Sequence, residues 1–273
     1  MATRVIDDTK LQNIAVAIQG KDSGGTMTVD EMPTRIAAIQ TGDEVLFTNN
    51  GRMYKRDVEL PNSVTSVTAS AFAYCSLLET FDLKNVTTIG GNAFQGCAKL
   101  HSINLENITT FAGSDNFNGC FALKKINCKS ATSISISCFH SCTSIESAIC
   151  KNATVLKANA FFGSSKLKYI DIRNATEIRG GAFSQCTSLS LIDLTGGNSV
   201  CTLGDVNAFN NTNNTWIAVV ANDTIKSDFQ SATNWSTFAS HFRTIAEVEA
   251  EVGMTYDEYY YQLFGEPRNE VAA

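Results

Sequence analysis

Proline and charge are both scarce in this sequence, which has 3 prolines among 273 residues and only 18% charged residues. A proline-rich or collagen-like chain is therefore excluded, and so is a disordered chain of high net charge. Because 44% of the residues are hydrophobic, we expect a globular protein with a sizeable core.

Positive charge is also in short supply, since 21 lysines and arginines face 27 aspartates and glutamates, for a formal net charge of -6. This balance argues against nucleic acid as a partner, because binding to a phosphate backbone needs clustered positive charge. A run of about 18 apolar residues, the length that a membrane-spanning helix needs, does not occur. We therefore expect neither nucleic-acid binding nor membrane insertion.

No secretion signal can be recognised at the start of the sequence. Charged residues interrupt the aliphatic ones there, namely Arg4, Asp7, Asp8 and Lys10. A signal peptide instead has an unbroken apolar stretch. We expect a product made in the cytoplasm, whose nine cysteines stay reduced as small core residues.

Patterns for catalysis and metal binding are missing as well. The three histidines, His101, His140 and His241, are far apart, and no nucleophile-elbow, P-loop or zinc-protease motif occurs. Carboxylates are spread singly, so no acid and base pair can be assigned. Cys138 and Cys142 could suggest a metal site, but Cys142 is in the repeated cysteine column and Cys138 replaces the alanine before the phenylalanine. The sequence therefore predicts a protein that is not an enzyme, with no catalytic residue, no cofactor and no metal site.

What the sequence does contain is an internal repeat. A phenylalanine, usually preceded by alanine, returns about every 22 residues, at Phe72, Phe94, Phe117, Phe139, Phe161, Phe183 and Phe209. Three places later most copies have a cysteine, and six places later an aliphatic residue such as Leu78 or Leu100. A unit this short cannot close a core alone, so the copies must stack into a solenoid. We expect the phenylalanines to form one buried stack.

Each copy also contains a short strand. Two apolar residues separated by one other residue follow the aliphatic position, as in Phe81 and Leu83 or Ile170 and Ile172, and this alternation is typical of a strand. A second apolar pair precedes the next phenylalanine. The repeat predicts an α/β solenoid of about seven coils with a parallel sheet on one face.

The repeat pattern I-x-x-x-A-F-x-x-C-x-x-L-x-x-I-x-L resembles the BspA-type leucine-rich repeats of bacterial and protozoan surface proteins. The resemblance covers roughly residues 60–215; Ser164 in the cysteine column and the degenerate last copy depart from it. It implies a leucine-rich-repeat solenoid that adheres or binds a ligand rather than one that catalyses a reaction.

Five segments follow from these patterns. Residues 1–43 are predicted to form an N-terminal helical segment for virion attachment or oligomerisation, and residues 44–59 a hairpin around Asn50-Gly51. The repeats occupy 60–215, a helical C-terminal cap 216–245, and a helix and tail 246–273. The aromatic residues between Tyr256 and Phe264 are expected to pack on the cap; a docking helix for another subunit is the alternative.

The N-terminal segment, with Leu11 to Ile18, Met27 to Pro33 and Ile36 to Ile39, resembles the opening of phage and prophage tail-associated proteins. This resemblance implies a virion protein made in the host cytoplasm, which contacts other virion proteins through its N-terminal region and a bacterial receptor, glycan or protein, through its solenoid. The alternative is an adhesin on the bacterial cell surface. Homo-oligomerisation stays open.

Two outward columns are the candidate partner-binding surface, because inward positions are committed to packing. The first column is mostly polar and the second mostly basic, and together they provide these candidates: Asp82, Lys84, Asn104, Glu106, Asn127, Lys129, Lys151, Asp171, Arg173 and Asp193. We expect Asp171 and Arg173 to be solvent-exposed, so that their replacement leaves folding intact.

Overall fold

The computed structural model describes residues 57–59, 64–197 and 199–269, and it shows a solenoid of short parallel strands. The segments predicted within residues 1–56, namely the two helices and the hairpin around Asn50-Gly51, lie outside the described residues. Within the described residues, no helix is long and apolar enough to cross a membrane.

One face of the solenoid carries the longer strands. They are β1 (Asp57–Glu59), β3 (Thr80–Asp82), β5 (Ser102–Ile103), β7 (Lys125–Asn127), β9 (Ser147–Ile149), β11 (Tyr169–Asp171), β13 (Leu191–Asp193), β15 (Ile217–Val220) and β16 (Phe242–Thr244). The first three form one parallel sheet and the last six another, each strand paired with its counterpart one coil away. We call the solvent side of these strands the outer face.

A second set of parallel strands, in one sheet of three and one of four, lies before the phenylalanines. It consists of two-residue strands, which are β2 (Ser66–Val67), β4 (Thr88–Ile89), β6 (Thr110–Phe111), β8 (Ser133–Ile134), β10 (Val155–Leu156), β12 (Glu177–Ile178) and β14 (Thr202–Leu203). The expectation of a sheet on one face was therefore incomplete, because the second apolar pair also pairs between coils. Threonine hydroxyls strengthen this side; for example, Thr109 Oγ1 donates to the carbonyl of Thr87 at 3.2 Å.

The phenylalanines form the predicted stack at the centre of the coils. The rings of Phe94 and Phe117 lie 5.1 Å apart and nearly parallel, and those of Phe139 and Phe161 lie 5.2 Å apart. These four rings are fully buried, whereas Phe72, near the first described coil, is partly exposed. The prediction of one buried stack is confirmed from Phe94 to Phe209, while Phe72 belongs to the stack but is not fully buried.

The cysteine column is held by hydrogen bonds to the backbone. The thiols of Cys97, Cys120, Cys142 and Cys186 each donate to the carbonyl oxygen of the phenylalanine one coil back, over 3.1 to 3.2 Å. Ser164 makes the same bond to Phe139 at 2.9 Å, so its departure from the repeat preserves the contact. All nine cysteines are buried free thiols in this structure.

The C-terminal cap closes the core with aromatic residues. Helix α1 (Asp223–Ser231) and the 3-10 helix Trp235–His241 follow β15, and β16 then rejoins the outer sheet. Trp216 and Trp235 are buried against Phe209, the last phenylalanine of the repeats, and Phe229 packs on Trp235. The strands of the two outer sheets thus lie between Asp57 and Thr244.

Two helices end the described chain. Helices α2 (Ile245–Val252) and α3 (Tyr256–Phe264) both begin with a capping box, formed by Thr244 with Glu247 and by Thr255 with Glu258. Each ends at a glycine in the left-handed conformation, Gly253 or Gly265, which lacks the Cβ that would clash there. These turns fold the two helices back along the solenoid.

Candidate partner-binding surface

The outer face has two columns of side chains, from the first and third residues of its longer strands. The third residue is an aspartate or asparagine in most coils. The side-chain oxygen of this residue accepts a hydrogen bond from the backbone N–H two residues later. Asp82 accepts from Lys84 at 3.0 Å, and Asn104 accepts from Glu106 at 3.0 Å. This polar column therefore has a structural cause, since such a bond stabilises the turn after the strand.

The early coils leave the outer face open to solvent. Asp82 and Asn104 are exposed, while Lys84, Glu106 and Lys129 are partly exposed. The Nζ of Lys129 lies 3.6 Å from a carboxylate oxygen of Glu106 in the neighbouring coil. Two further side chains of the first position, Ser102 and Lys125, are also exposed. We call this part, on β3, β5, β7 and the turns after them, the open face.

The later coils are covered by helix α3, which corrects the expectation for three candidate residues. Asp171 and Asp193 have no exposed surface, and Arg173 retains 8%. Tyr260 and Phe264 pack on Ile149, and Tyr256 packs with Leu191 and Val219. The expectation that Asp171 and Arg173 are exposed is therefore wrong. The aromatic helix reaches the predicted cap through the contact of Tyr256 with Val219, and it also packs on the outer strands of the repeats.

A charged network lies beneath this helix. The guanidinium of Arg173 makes a two-pronged contact with Asp171, with Nε 3.0 Å from Oδ1 and Nη2 2.6 Å from Oδ2. The hydroxyl of Tyr260 donates to the same Oδ2 at 2.7 Å, and the Arg173 guanidinium lies 5.2 Å from the Tyr260 ring centre. Asp171 is thus a buried carboxylate with several donors around it, the arrangement that burial of a charge requires.

The chain after α3 completes the network. Arg268 lies 3.7 Å from Asp193 and 3.2 Å from Asp257, and its guanidinium also donates to the hydroxyl of Thr195. Burial and the neighbouring Asp171 carboxylate raise the pKa of Asp193, while the Arg173 charge acts in the opposite direction. The segment around Arg268 is therefore held against the solenoid by charged groups.

The border between open and covered surface runs across β7 and β9. Asn127 donates to both carboxylate oxygens of Glu266 at 2.8 Å, so the tail after α3 reaches this coil. Lys151 lies one coil on and is partly exposed. Of the ten candidate residues, seven therefore keep exposed surface, and Asp171, Arg173 and Asp193 serve instead to hold α3.

Sequence reasoning missed the residues on which the covering helix packs. From the fourth coil on, several outward positions are apolar, namely Ile149, Tyr169, Leu191, Ile217 and Val219. An outward apolar column is a signal that something covers it, because exposed apolar patches of that size are rare on a monomer. Among the described residues, no group of three or more histidine, cysteine, aspartate or glutamate side chains is arranged to hold a metal ion.

Comparison with solved structures finds leucine-rich repeat proteins, the first of which shares this fold. A leucine-rich repeat protein of T. pallidum is 24% identical with a TM-score of 0.51, and the match covers 56% of this chain and 76% of that one. A leucine-rich cell surface protein of Faecalibacterium prausnitzii is 30% identical with a TM-score of 0.46, covering 50% and 38%. A leucine-rich repeat protein of Bacteroides ovatus is 23% identical with a TM-score of 0.39, covering 62% and 58%. The match therefore spans only part of the last two proteins.

Comparison with protein families gives the same result. No curated protein matches the chain significantly. The family model for the BspA-type leucine-rich repeat region matches with six copies, over residues 44–168 and 113–236, which together are more than half of the chain. The count of about seven coils stays a prediction. With the repeat, the parallel ladders and this match in agreement, the chain belongs to the family of proteins with a BspA-type leucine-rich repeat region.

Proposed function

We propose that this chain is a non-enzymatic recognition protein of the bacterial cell surface, which binds a partner through the open face. Membership of the BspA-type family supports this function, because the resemblance is to repeats of adhesive or ligand-binding surface proteins. The expectation of a phage virion protein has no support from the comparisons, and the segment that suggested it lies outside the described residues.

The observation that carries the proposal is the division of the outer face. Helix α3 and its tail cover one part of it, whereas Asp82, Lys84, Asn104 and Lys125 in the earlier coils stay at least partly exposed. These side chains repeat at the spacing of stacked strands, about 4.8 Å. A regular row of polar side chains on a rigid sheet suits the recognition of an extended glycan or a protein surface.

The charge of the open face indicates the chemistry of the partner. Lys84, Lys125 and Lys129 outnumber Asp82 and Glu106 on this face by one, and Lys151 stands at its border, although the chain as a whole carries a net charge of -6. Local positive charge on an acidic protein favours a partner with acidic groups, through complementary potentials. We therefore expect an acidic glycan or an acidic protein surface.

Surface labelling tests the location. Intact producing cells are treated with a membrane-impermeant amine-reactive reagent, and a cytoplasmic protein serves as the leakage control. We expect the full chain to be labelled on intact cells in the absence of phage particles. Labelling only after lysis, together with recovery of the chain in purified particles, would overturn the proposal in favour of a virion role.

A further inference from the structure

The solenoid contains a second cysteine column, distinct from the one that bonds to phenylalanine carbonyls. Cys128 and Cys150 directly follow strands β7 and β9 on the inward side, where other coils have Leu83, Leu105 or Ile172. Both side chains are fully buried. Their thiols point at each other, and the two sulfur atoms are 3.0 Å apart.

The backbone around this pair permits a covalent bond. Asn127 is the register partner of Ile149, and the N–H of Cys128 donates to the carbonyl of Ile149 at 2.9 Å, so the two cysteines lie one coil apart. Strands in such a ladder are about 4.8 Å apart, within the Cα separation of about 4.4 to 6.8 Å that disulfides show. To reach a bond length of about 2.05 Å, the sulfur atoms need to move only by about 1 Å.

The other stacked cysteines differ in one respect. Cys120 and Cys142 are also one coil apart, yet each thiol donates to a phenylalanine carbonyl of the preceding coil rather than to its neighbour. To cross-link them, both hydrogen bonds would have to break. The two columns therefore provide one pair whose thiols contact each other and a matched pair whose thiols bond to carbonyl oxygens instead.

We propose that Cys128 and Cys150 form a disulfide between adjacent coils when the chain folds in an oxidising environment. A thiolate of one cysteine attacks a small-molecule disulfide such as oxidised glutathione, which gives a mixed disulfide and releases one small thiol. The second cysteine, as a thiolate, then attacks the mixed disulfide and releases the other small thiol. The two protein thiols lose two electrons and two protons, and the small disulfide is reduced to two thiols.

The reaction takes place during folding rather than in the finished solenoid. Burial raises the pKa of the Cys150 thiol well above its ordinary value, and the neighbouring Cys128 raises it further. Since the thiolate is the reactive form, the folded pair resists oxidation. Once formed, the bond closes a loop of 22 residues and restricts the unfolded chain, which stabilises the middle of the solenoid. This inference does not rest on the proposed function.

Refolding under controlled redox conditions tests it. The reduced, denatured full chain is refolded in a mixture of reduced and oxidised glutathione, alkylated, and digested for mass spectrometry. We expect one cross-linked peptide, joining Cys128 to Cys150, with alkylation at the other cysteines. The same refolding with reduced glutathione alone gives the free-thiol reference.

Two variants make the result specific. Cys150→Val is tolerated because leucine and isoleucine occupy this column elsewhere, and it should abolish the cross-link and the rise in unfolding temperature that oxidation causes. Cys142→Ser keeps its hydrogen bond, as Ser164 does in the next coil, and should leave both unchanged. A folded, oxidised wild type with Cys128 and Cys150 alkylated would overturn the proposal, and so would a cross-link from either of them to Cys138.

Discussion

The hydroxyl of Tyr260 donates a hydrogen bond to Asp171, with the two oxygens 2.7 Å apart and both side chains buried between helix α3 and the outer strands. These residues are 89 positions apart in the sequence. This bond helps to hold helix α3 over the later coils, whose outward residues would otherwise face solvent. The outer face is thereby divided into a covered part and an exposed part. What is left exposed is the open face of the earlier coils.

Tyr260→Phe should destabilise the protein by about 1–3 kcal/mol, because it removes a hydrogen bond to a buried carboxylate while keeping the aromatic ring. Urea denaturation of the full chain measures the change in the free energy of unfolding. Tyr261→Phe is the matched control, since Tyr261 is 58% exposed on the same helix, and it should have no measurable effect. Equal stabilities for the two variants would contradict the role of the bond.

Phe139→Ala should destabilise the solenoid by about 3–5 kcal/mol, because it leaves a cavity in a close-packed core. The Phe139 ring is fully buried and stacks 5.4 Å from Phe117 and 5.2 Å from Phe161. The control is Phe121→Ala, at a ring that is 49% exposed, which we expect to change stability by about 0.5 kcal/mol or less. Thermal unfolding distinguishes the two, and an unchanged midpoint for Phe139→Ala would rule out the stack as a source of stability.

Ser164→Cys should be nearly neutral, whereas Ser164→Ala should cost about 1 kcal/mol through loss of one hydrogen bond. The reason is that cysteine donates to the same carbonyl in four other coils, while alanine has no donor. Chemical denaturation of both variants compares them directly. If the cysteine variant lost as much free energy of unfolding as the alanine variant, the hydrogen bond to the carbonyl would not explain the residue type at this position.

Glu247→Gln should make stability less dependent on pH in the acidic range. Lys226 donates to both carboxylate oxygens of Glu247, which holds the pKa of that group below its usual value of 4.5. A lowered pKa contributes stability that is present above about pH 4.5 and is lost as the pH falls through the folded-state pKa. The wild type should therefore exceed the variant by less than about 1 kcal/mol near neutral pH, since the pair is partly exposed.

The difference between wild type and Glu247→Gln, measured by urea denaturation at several pH values, should close in acid. A difference that is constant with pH would contradict a contribution from the ionised carboxylate of Glu247. High salt should also reduce it, because mobile ions screen partly exposed charges.

The periodic part of the molecule could be predicted from the sequence. Phe94, Phe117 and their counterparts repeat at a fixed spacing, and a unit that cannot close its own core has to stack. The second set of parallel strands and the Asx turns of Asp82 and Asn104 also follow from local chemistry, although only the structure shows the hydrogen bonds. The repeat pattern therefore predicts which side chains pack in the core.

The covering of Asp171 could not be predicted in the same way. Contact between Tyr260 and Asp171 depends on how α2 and α3 turn back along the solenoid, which no periodicity encodes. Outward apolar residues such as Leu191 and Val219 were the available signal. They indicate that a cover exists, but not that it is the end of the same chain.

The most direct test of the central claim compares two doubly substituted chains of equal net charge. Lys84→Gln with Lys129→Gln removes two of the three lysines of the open face, whereas Lys99→Gln with Lys166→Gln removes two exposed lysines outside the outer strands. The measurement is the salt concentration that elutes each full chain from immobilised heparin, used as an acidic glycan probe. We predict a lower eluting concentration for the first pair and an unchanged one for the second; equal elution of both pairs would contradict recognition through the open face.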